Sequence, residues 1–262
     1  MTVPILGFLA GLLIGLTGTG GGSVLTPLLL LFTPYSAVVV IGTDLAMGVA
    51  TKLVGFIEHW RLGRIYWRLA GYIILGSLPG SLAGILFVHF LKVHLSAANL
   101  DASLKVFVGL ALFAASVSLP YVRKRQKRAA QAPNPSRSEI QVGERGHKRF
   151  LAVGAGVGFL VAVTSVGSGS LLMVFMLLVA PLPIADLVGT DIMLGLATTV
   201  LAGSLHFWMG HFNQHLFFGL VAGSLPGVLV GSWFSHRIPE RYFSWLLSIL
   251  YFSLGARLLL SW

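Results

Sequence analysis

Seven residues near the start of the chain, Thr17-Gly18-Thr19-Gly20-Gly21-Gly22-Ser23, interrupt an otherwise apolar stretch that runs from Val3 to Phe32. Each glycine costs a helix about 1 kcal/mol relative to alanine, so such a run ends the helix and strips backbone N–H and C=O groups of their intrahelical partners. In hydrocarbon those groups must find protein, water or a ligand. The run is therefore expected to be a break with a purpose, and the rest of the chain has to supply its partners.

Composition places that break in a membrane. Of 262 residues, 56% are hydrophobic and 10% charged, against about a quarter charged in soluble domains. Several segments reach the roughly 20 apolar residues needed to cross a bilayer. The first Lys or Arg is Lys52, so the N-terminus lacks the basic region of a cleavable signal and residues 1–32 read as mature structure. There is no cysteine, which excludes disulfides and thiol chemistry. A net charge of +10 would suggest nucleic acid in a soluble protein, but half of the 18 cations crowd one polar segment: Arg123, Lys124, Arg125, Lys127, Arg128, Arg137, Arg145, Lys148 and Arg149. That segment, 122–149, has the composition of a linker and reads as a cytoplasmic loop under the positive-inside rule, with anionic lipid beside it. Nucleic acid is not an expected partner; the lipid bilayer is.

The chain repeats itself. Gly42-Thr43-Asp44 recurs as Gly189-Thr190-Asp191, an offset of 191 − 44 = 147. At the same offset Gly7 and Gly11 fall on Gly154 and Gly158, Thr17 on Thr164, Ser23 on Ser170, and His59 on His206. Gly76-Ser77-Leu78-Pro79-Gly80 likewise falls on Gly223-Ser224-Leu225-Pro226-Gly227. Two duplicated halves joined by a basic loop describe a transporter. We divide the chain into a first transmembrane repeat (1–121), the linker (122–149) and a second repeat (150–262). The expected fold is an all-α polytopic membrane protein with two inverted repeats, each a broken re-entrant helical hairpin plus three transmembrane helices. In the first half these helices are expected at about 36–58, 66–91 and 99–121, with Pro34 and Ser36 supplying turn and N-cap chemistry. Glycines four apart in the third helix of each half offer a smooth face for close approach by another helix. The re-entrant choice follows from charge. With three crossings per half, the loops holding Arg61, Arg64 and Arg68, the linker, and Arg237 with Arg241 all face the cytoplasm, and both termini lie outside.

Several residues could carry chemistry. Helix ends flanking a break expose backbone donors and a positive dipole end, which suit an oxyanion. Around the first break these are Thr17, Gly18, Thr19, Gly20, Gly21, Gly22 and Ser23; around the second, Thr164, Gly167, Ser168, Gly169 and Ser170, with Ser165 adding to its small polar character. Asp44 and Asp191 lie in mid-span, where an ionised side chain costs about 2.5–3.5 kcal/mol, and are expected to carry coupling protons or another cation. Lys52 has no counterpart, since Thr199 stands in its place. Eight residues beyond Asp44, about 12 Å along the same helix, it suits either an anion or an ion pair with Asp191. Glu58, His59 and His206 fall near helix ends, where interfacial packing is expected. His211 and His215 lie four apart without a carboxylate, which is no metal site, and nothing calls for a cofactor. Phosphate-loop and dinucleotide spacings are absent. An intramembrane serine hydrolase using Ser168 or Ser170 with His206, and an anion channel, are the competing function classes.

Residues 11–31 and 158–178, the Gly-Thr-Asp repeats, His59, His206 and the paired Gly-Ser-Leu-Pro-Gly segments resemble the TauE/SafE sulfite exporter family of bacterial permeases. Gly15-x-x-Gly18-x-Gly20-Gly21-Gly22 followed by Pro27 is similar to that family's N-terminal signature. The resemblance implies a membrane transporter in the bacterial cytoplasmic membrane that moves sulfite or a small organosulfonate on an ion gradient, with Gly18, Gly20, Gly21, Gly22, Pro27, Gly167 and Gly169 as the carried-over positions. Loss of the triple glycine and the proline in the second half implies unequal halves. The direction of transport and oligomerisation stay open at this level.

Overall fold

The computed structural model describes residues 2–17, 22–131, 144–167, 171, 172, 176, 184–235 and 240–260, all helix or short turns. In chain order the helices are α1 (Thr2–Thr17), α2 (Gly22–Phe32), α3 (Ala37–Arg61), α4 (Trp67–His94), α5 (Ala97–Gln131), α6 (Glu144–Thr164), α7 (Ile184–Trp208), α8 (Gln214–Ser235) and α9 (Glu240–Leu260). Six helices among the described residues are long and apolar enough to cross a membrane, while α1, α2 and the apolar part of α9 are shorter. At 16 and 11 residues, α1 and α2 span about 24 and 16 Å, each short of the roughly 30 Å core. Exposed apolar side chains such as Leu75, Leu78, Leu82 and Leu86 on α4 stand three or four apart, a stripe suited to lipid rather than water.

The repeat register is preserved in the helix boundaries: α3 and α7 are offset at both ends by 184 − 37 = 208 − 61 = 147. Thr17 and Thr164 close α1 and α6 at the same relative position. The equivalent of α2 lies almost wholly outside the described residues, as do Gly18 to Gly21, Ser168, Gly169 and Ser170.

Glycine seams interlock the two halves. A Cβ on Gly7, Gly11 or Gly15 of α1 would strike the α8 backbone at Leu220, Ser224 and Val228, and one on Gly223, Gly227 or Gly231 of α8 would strike α1 at Pro4, Phe8 and Leu12. The contacts rise together in number, so α1 and α8 run parallel. The equivalent pair does the same, with Gly76 and Gly80 of α4 against the backbone of Leu151 and Ala155 of α6. Helices that hold the same place in the two halves cross antiparallel instead. On α3, Leu45 meets Gly203, Gly48 meets Thr199 and Gly55 meets Ile192 of α7; on α5, Gly109 meets Leu259 and Gly255 of α9, and Phe113 meets Phe252 with ring centroids 5.4 Å apart. The short connection 209–213 turns α7 back into α8, so α1 and α3 point the same way.

The paired Gly-Thr-Asp motifs dock each half's loop on the other half. Gly42 leaves room for the His211 carbonyl, and Thr43 Oγ1 accepts the Asn213 N–H at 3.1 Å. At the equivalent place Gly189 leaves room for the Arg64 carbonyl, and Thr190 Oγ1 accepts the Tyr66 N–H at 3.0 Å. The motif thus fixes where each aspartate enters the core.

Two expectations change. Ser36 occupies the N-cap position of α3 without a side-chain cap bond; the Asp101 carboxylate of α5 accepts the Ala37 N–H at 2.9 Å instead. A charged acceptor from a neighbouring helix outcompetes the local hydroxyl. The 122–149 segment is also not all loop, because α5 continues to Gln131 and α6 begins at Glu144. Its Lys, Arg, Ala and Gln residues are good helix formers. Trp60, Trp67 and Trp208 lie at or near helix ends and are 57%, 52% and 87% exposed, as suits an interfacial belt.

The seams make a clean prediction. Gly80→Val should lower stability by about 1–3 kcal/mol through overpacking, seen as a lower melting temperature in detergent. Gly156→Ala, where an added Cβ meets nothing within 4 Å, should leave the melting temperature unchanged or slightly raised.

Candidate functional site

Asp44 sits two turns into α3 with 1% of its surface exposed. Its Oδ2 accepts the Thr26 hydroxyl of α2 and, at 2.8 Å, the Ser165 hydroxyl just beyond α6. Its Oδ1 is buried with no hydrogen-bond partner. One carboxylate therefore joins three elements, one of them from the opposite half. Ser165 can reach it because α6 ends there: Ser165 adopts φ 58° and Gly167 φ 111°, the left-handed region that stops a helix. Thr164 braces the turn, donating to the Leu160 carbonyl at 2.7 Å and accepting the Val166 N–H at 3.1 Å.

The first break is held differently. Ser23, in the first turn of α2, is buried, and its Oγ lies 2.5 Å from the hydroxyl of Tyr251 on α9. Tyr251 is fully buried. At the far end of α2 the Arg257 guanidinium of α9 stands 5.5 Å from the Phe32 ring centroid. So α9, from the second half, grips α2 at both ends. The repeat-equivalents of Tyr251 and Arg257 are Leu104 and Leu110, which offer no polar grip.

Lys52, further along α3, interacts electrostatically with both Asp191 and Asp44. It falls in sequence between Gly48 and Gly55, the α3 positions packed on Thr199 and Ile192 of α7, and its side chain is partly exposed. Asp191 is 8% exposed, and its Oδ1 has no hydrogen-bond partner. Its surroundings differ from those of Asp44, because the equivalents of Thr26 and Ser165 are Met173 and Gly18, neither of which has a hydroxyl.

The structure thus draws Asp44, Lys52 and Asp191 along one helix crossing, and brings Asp44 against the second break. Thr17 closes α1 and Gly22 opens α2, so the first break lies between the end of one helix and the start of the next. Gly167 lies in the turn after α6, with its carbonyl accepting the Leu172 N–H at 3.1 Å. Thr26 and Tyr251 were not singled out from sequence, although a threonine and a tyrosine within apolar stretches were visible there.

His206 departs from its interfacial expectation. It is buried, and its Nε2 donates to the Ala162 carbonyl at 2.8 Å. A carbonyl only accepts, so a neutral His206 offers Nδ1 as an acceptor, which takes the His211 Nδ1–H at 3.2 Å. His211 Nε2 is then the acceptor for Lys92 Nζ at 3.3 Å. Every tautomer in the chain from Lys92 to Ala162 follows from that last carbonyl. Burial, reinforced by His206, Lys92 and His89, pushes His211 down to about 4. A histidine kept neutral by folding binds fewer protons folded than unfolded. Its stabilisation is complete above about 6.5 and is lost as pH falls towards 4. Melting temperature should therefore drop across that window, and His211→Gln should flatten the drop. Tyr251→Phe removes the buried hydrogen bond to Ser23 and should cost about 0.5–1.5 kcal/mol, read as a lower melting temperature.

Residues 3–258 match the family model described as Sulfite exporter TauE/SafE. Among curated proteins, the chain is similar to "Probable membrane transporter protein YjnA" of Bacillus subtilis (strain 168), 31% identical over 259 residues and covering 99% of both chains. It is also similar to "Probable membrane transporter protein YunE" of the same organism, 24% identical with 97% of this chain and 95% of that one covered. "Probable membrane transporter protein YdhB", again from that organism, is 24% identical over 92% of each chain. No solved structure gives a significant match. The helices, the break flanked by Thr17 and Gly22, and a match over almost the full length agree: this multi-pass membrane protein belongs to the TauE/SafE sulfite exporter family of transporters.

Proposed function

We propose that the protein carries a small anion, sulfite or a small organosulfonate, across the bacterial cytoplasmic membrane by alternating access coupled to protons. The observation that carries this reading is the placement of Lys52. Lys52 is a cation on a membrane-spanning helix that interacts with Asp44 and Asp191, and a fixed positive charge is what an anion needs in a low-dielectric core. In this reading the backbone N–H groups of the first break, the hydroxyls of Thr17, Thr19 and Ser23, and Lys52 hold the anion. Thr164, Gly167, Ser168, Gly169 and Ser170 complete the site from the second half, and Asp44 and Asp191 handle the coupling charge.

Helix directions support the inverted, re-entrant topology. Equivalent helices that cross antiparallel, α3 with α7 and α5 with α9, are expected of inverted repeats. A hairpin over 3–32 accounts for α1 and α3 pointing the same way, whereas a continuous crossing would oppose them. On that topology residues 122–149 are cytoplasmic and both termini lie outside. The hydrolase reading loses support, since both ring nitrogens of His206 are already engaged.

Proteoliposomes provide the test. Sulfite uptake should saturate, show counterflow and be competed by small sulfonates; a non-saturating flux without counterflow would indicate a channel. Lys52→Met should reduce uptake at least tenfold without loss of folded protein, and unchanged uptake would take Lys52 out of the anion site. Because the chain has no cysteine, single cysteines placed in 122–149 and 209–213 should label from opposite sides of the membrane.

A further inference from the structure

The two aspartates occupy equivalent positions but have different partners, and the difference is chemical. Asp44 Oδ2 receives the Thr26 and Ser165 hydroxyls while Oδ1, in a residue 1% exposed, receives nothing. Asp191 has neither hydroxyl equivalent, since Met173 and Gly18 stand at those positions, and it interacts with Lys52. Two acids and one base at a buried crossing cannot all be ionised without one uncompensated negative charge. Oδ1 lacks a hydrogen-bond partner on both carboxylates, but among the described residues only Asp44 is tied by hydroxyls to two other elements, one of them in the opposite half. A proton added to the lone pair of Oδ1 leaves Thr26 and Ser165 donating to Oδ2, and no other bond has to break. Neutralisation does weaken those two bonds, because a hydroxyl bonds a carboxylate about twice as strongly as a neutral acceptor. One of them, from Ser165, crosses between the halves.

We propose that Asp44 Oδ1 is the atom that loads and releases the coupling proton, that Asp191 stays ionised as the counter-ion of Lys52, and that Ser165 transmits the charge state of Asp44 to the second half. This rests on the proton-coupled reading above and assigns its parts. The remaining ionisable groups around Asp44 are otherwise engaged. On its own helix the nearest is Lys52; on α7 they are Asp191 and His206, the latter bonded to Ala162. His211, in the loop against Gly42, is bonded to His206. On α5, Asp101 caps Ala37, and on α9 Tyr251 meets Ser23. His215 at the start of α8 is exposed, and the described part of α2 has no ionisable side chain.

The experiment uses the full-length chain in proteoliposomes with two readouts: proton movement accompanying sulfite uptake, followed by an enclosed pH dye, and the infrared band of a protonated carboxyl followed against pH. Asp44→Asn keeps an oxygen for both hydroxyls; it should remove the titrating carboxyl band and cut proton movement at least tenfold. The double variant Lys52→Met with Asp191→Asn, neutral overall, should keep the band although sulfite uptake is lost. Ser165→Ala should shift the band and the pH midpoint of uptake, and Ser165→Thr should restore both. If Asp44→Asn does not reconstitute, the Ser165 pair and the double variant decide the matter. A band that survives Asp44→Asn, disappears in the double variant or ignores Ser165→Ala overturns the assignment. Sulfite uptake by the unmodified protein without any proton movement would instead overturn the coupling reading on which the assignment rests.

Discussion

Backbone contact between helices of opposite halves is the constraint on which the rest of this molecule depends. In an apolar surrounding the hydrophobic effect does little to hold helix to helix, and close packing takes over. The α1–α8 and α4–α6 seams achieve it with glycines spaced four apart, each facing backbone on the partner helix. Because each seam joins one helix from each half, neither half can pack its seam faces alone. The loops follow the same rule, with Thr43 holding the 209–213 connection and Thr190 holding the connection before α4.

Within that near-symmetric frame the chemistry is placed asymmetrically. Lys52 faces a repeat position occupied by Thr199, whose hydroxyl is turned back to the Gly195 carbonyl at 2.8 Å. Asp44 accepts two hydroxyls, whose repeat positions hold Met173 and Gly18; Tyr251 meets Ser23 at the start of α2, and its own repeat position holds Leu104. A symmetric pair of broken helices could bind an anion equally from either half. With Lys52 opposite Thr199 in the repeat, hydroxyls on Asp44 and Tyr251 on Ser23, this protein has made the halves different while keeping the seams that make them fit. The Lys92–His211–His206–Ala162 chain, buried at its two histidines, lies on one side only, since Arg64 stands at the position equivalent to His211.

Much of this was legible in the sequence because it is local or periodic. Apolar runs long enough to cross a bilayer, glycines four apart, and the 147-residue register all lie along the chain, and the helix boundaries of α3 and α7 repeat that register residue for residue. The broken helix after Thr17 and the exceptional position of Lys52 could be read in the same way. What escaped were pairings set by distant elements. Ser36 has the chemistry of an N-cap, but Asp101 was brought nearer with a charge; His206 lies near a helix end, but the Ala162 carbonyl and His211 drew it into the core.

By itself, then, the sequence determined an all-helical, duplicated membrane protein with a glycine-broken helix and a small set of polar residues too costly to bury without a role. Only the tertiary structure decided which polar residue meets which: Thr26 and Ser165 on Asp44, Tyr251 on Ser23, Lys52 between two unequal carboxylates. The physical reason is range. Helix formation and membrane partition depend on neighbours a few residues away, whereas the partner of a buried polar group depends on how two helices cross, and those crossings are settled by backbone-to-backbone fit between halves of the chain.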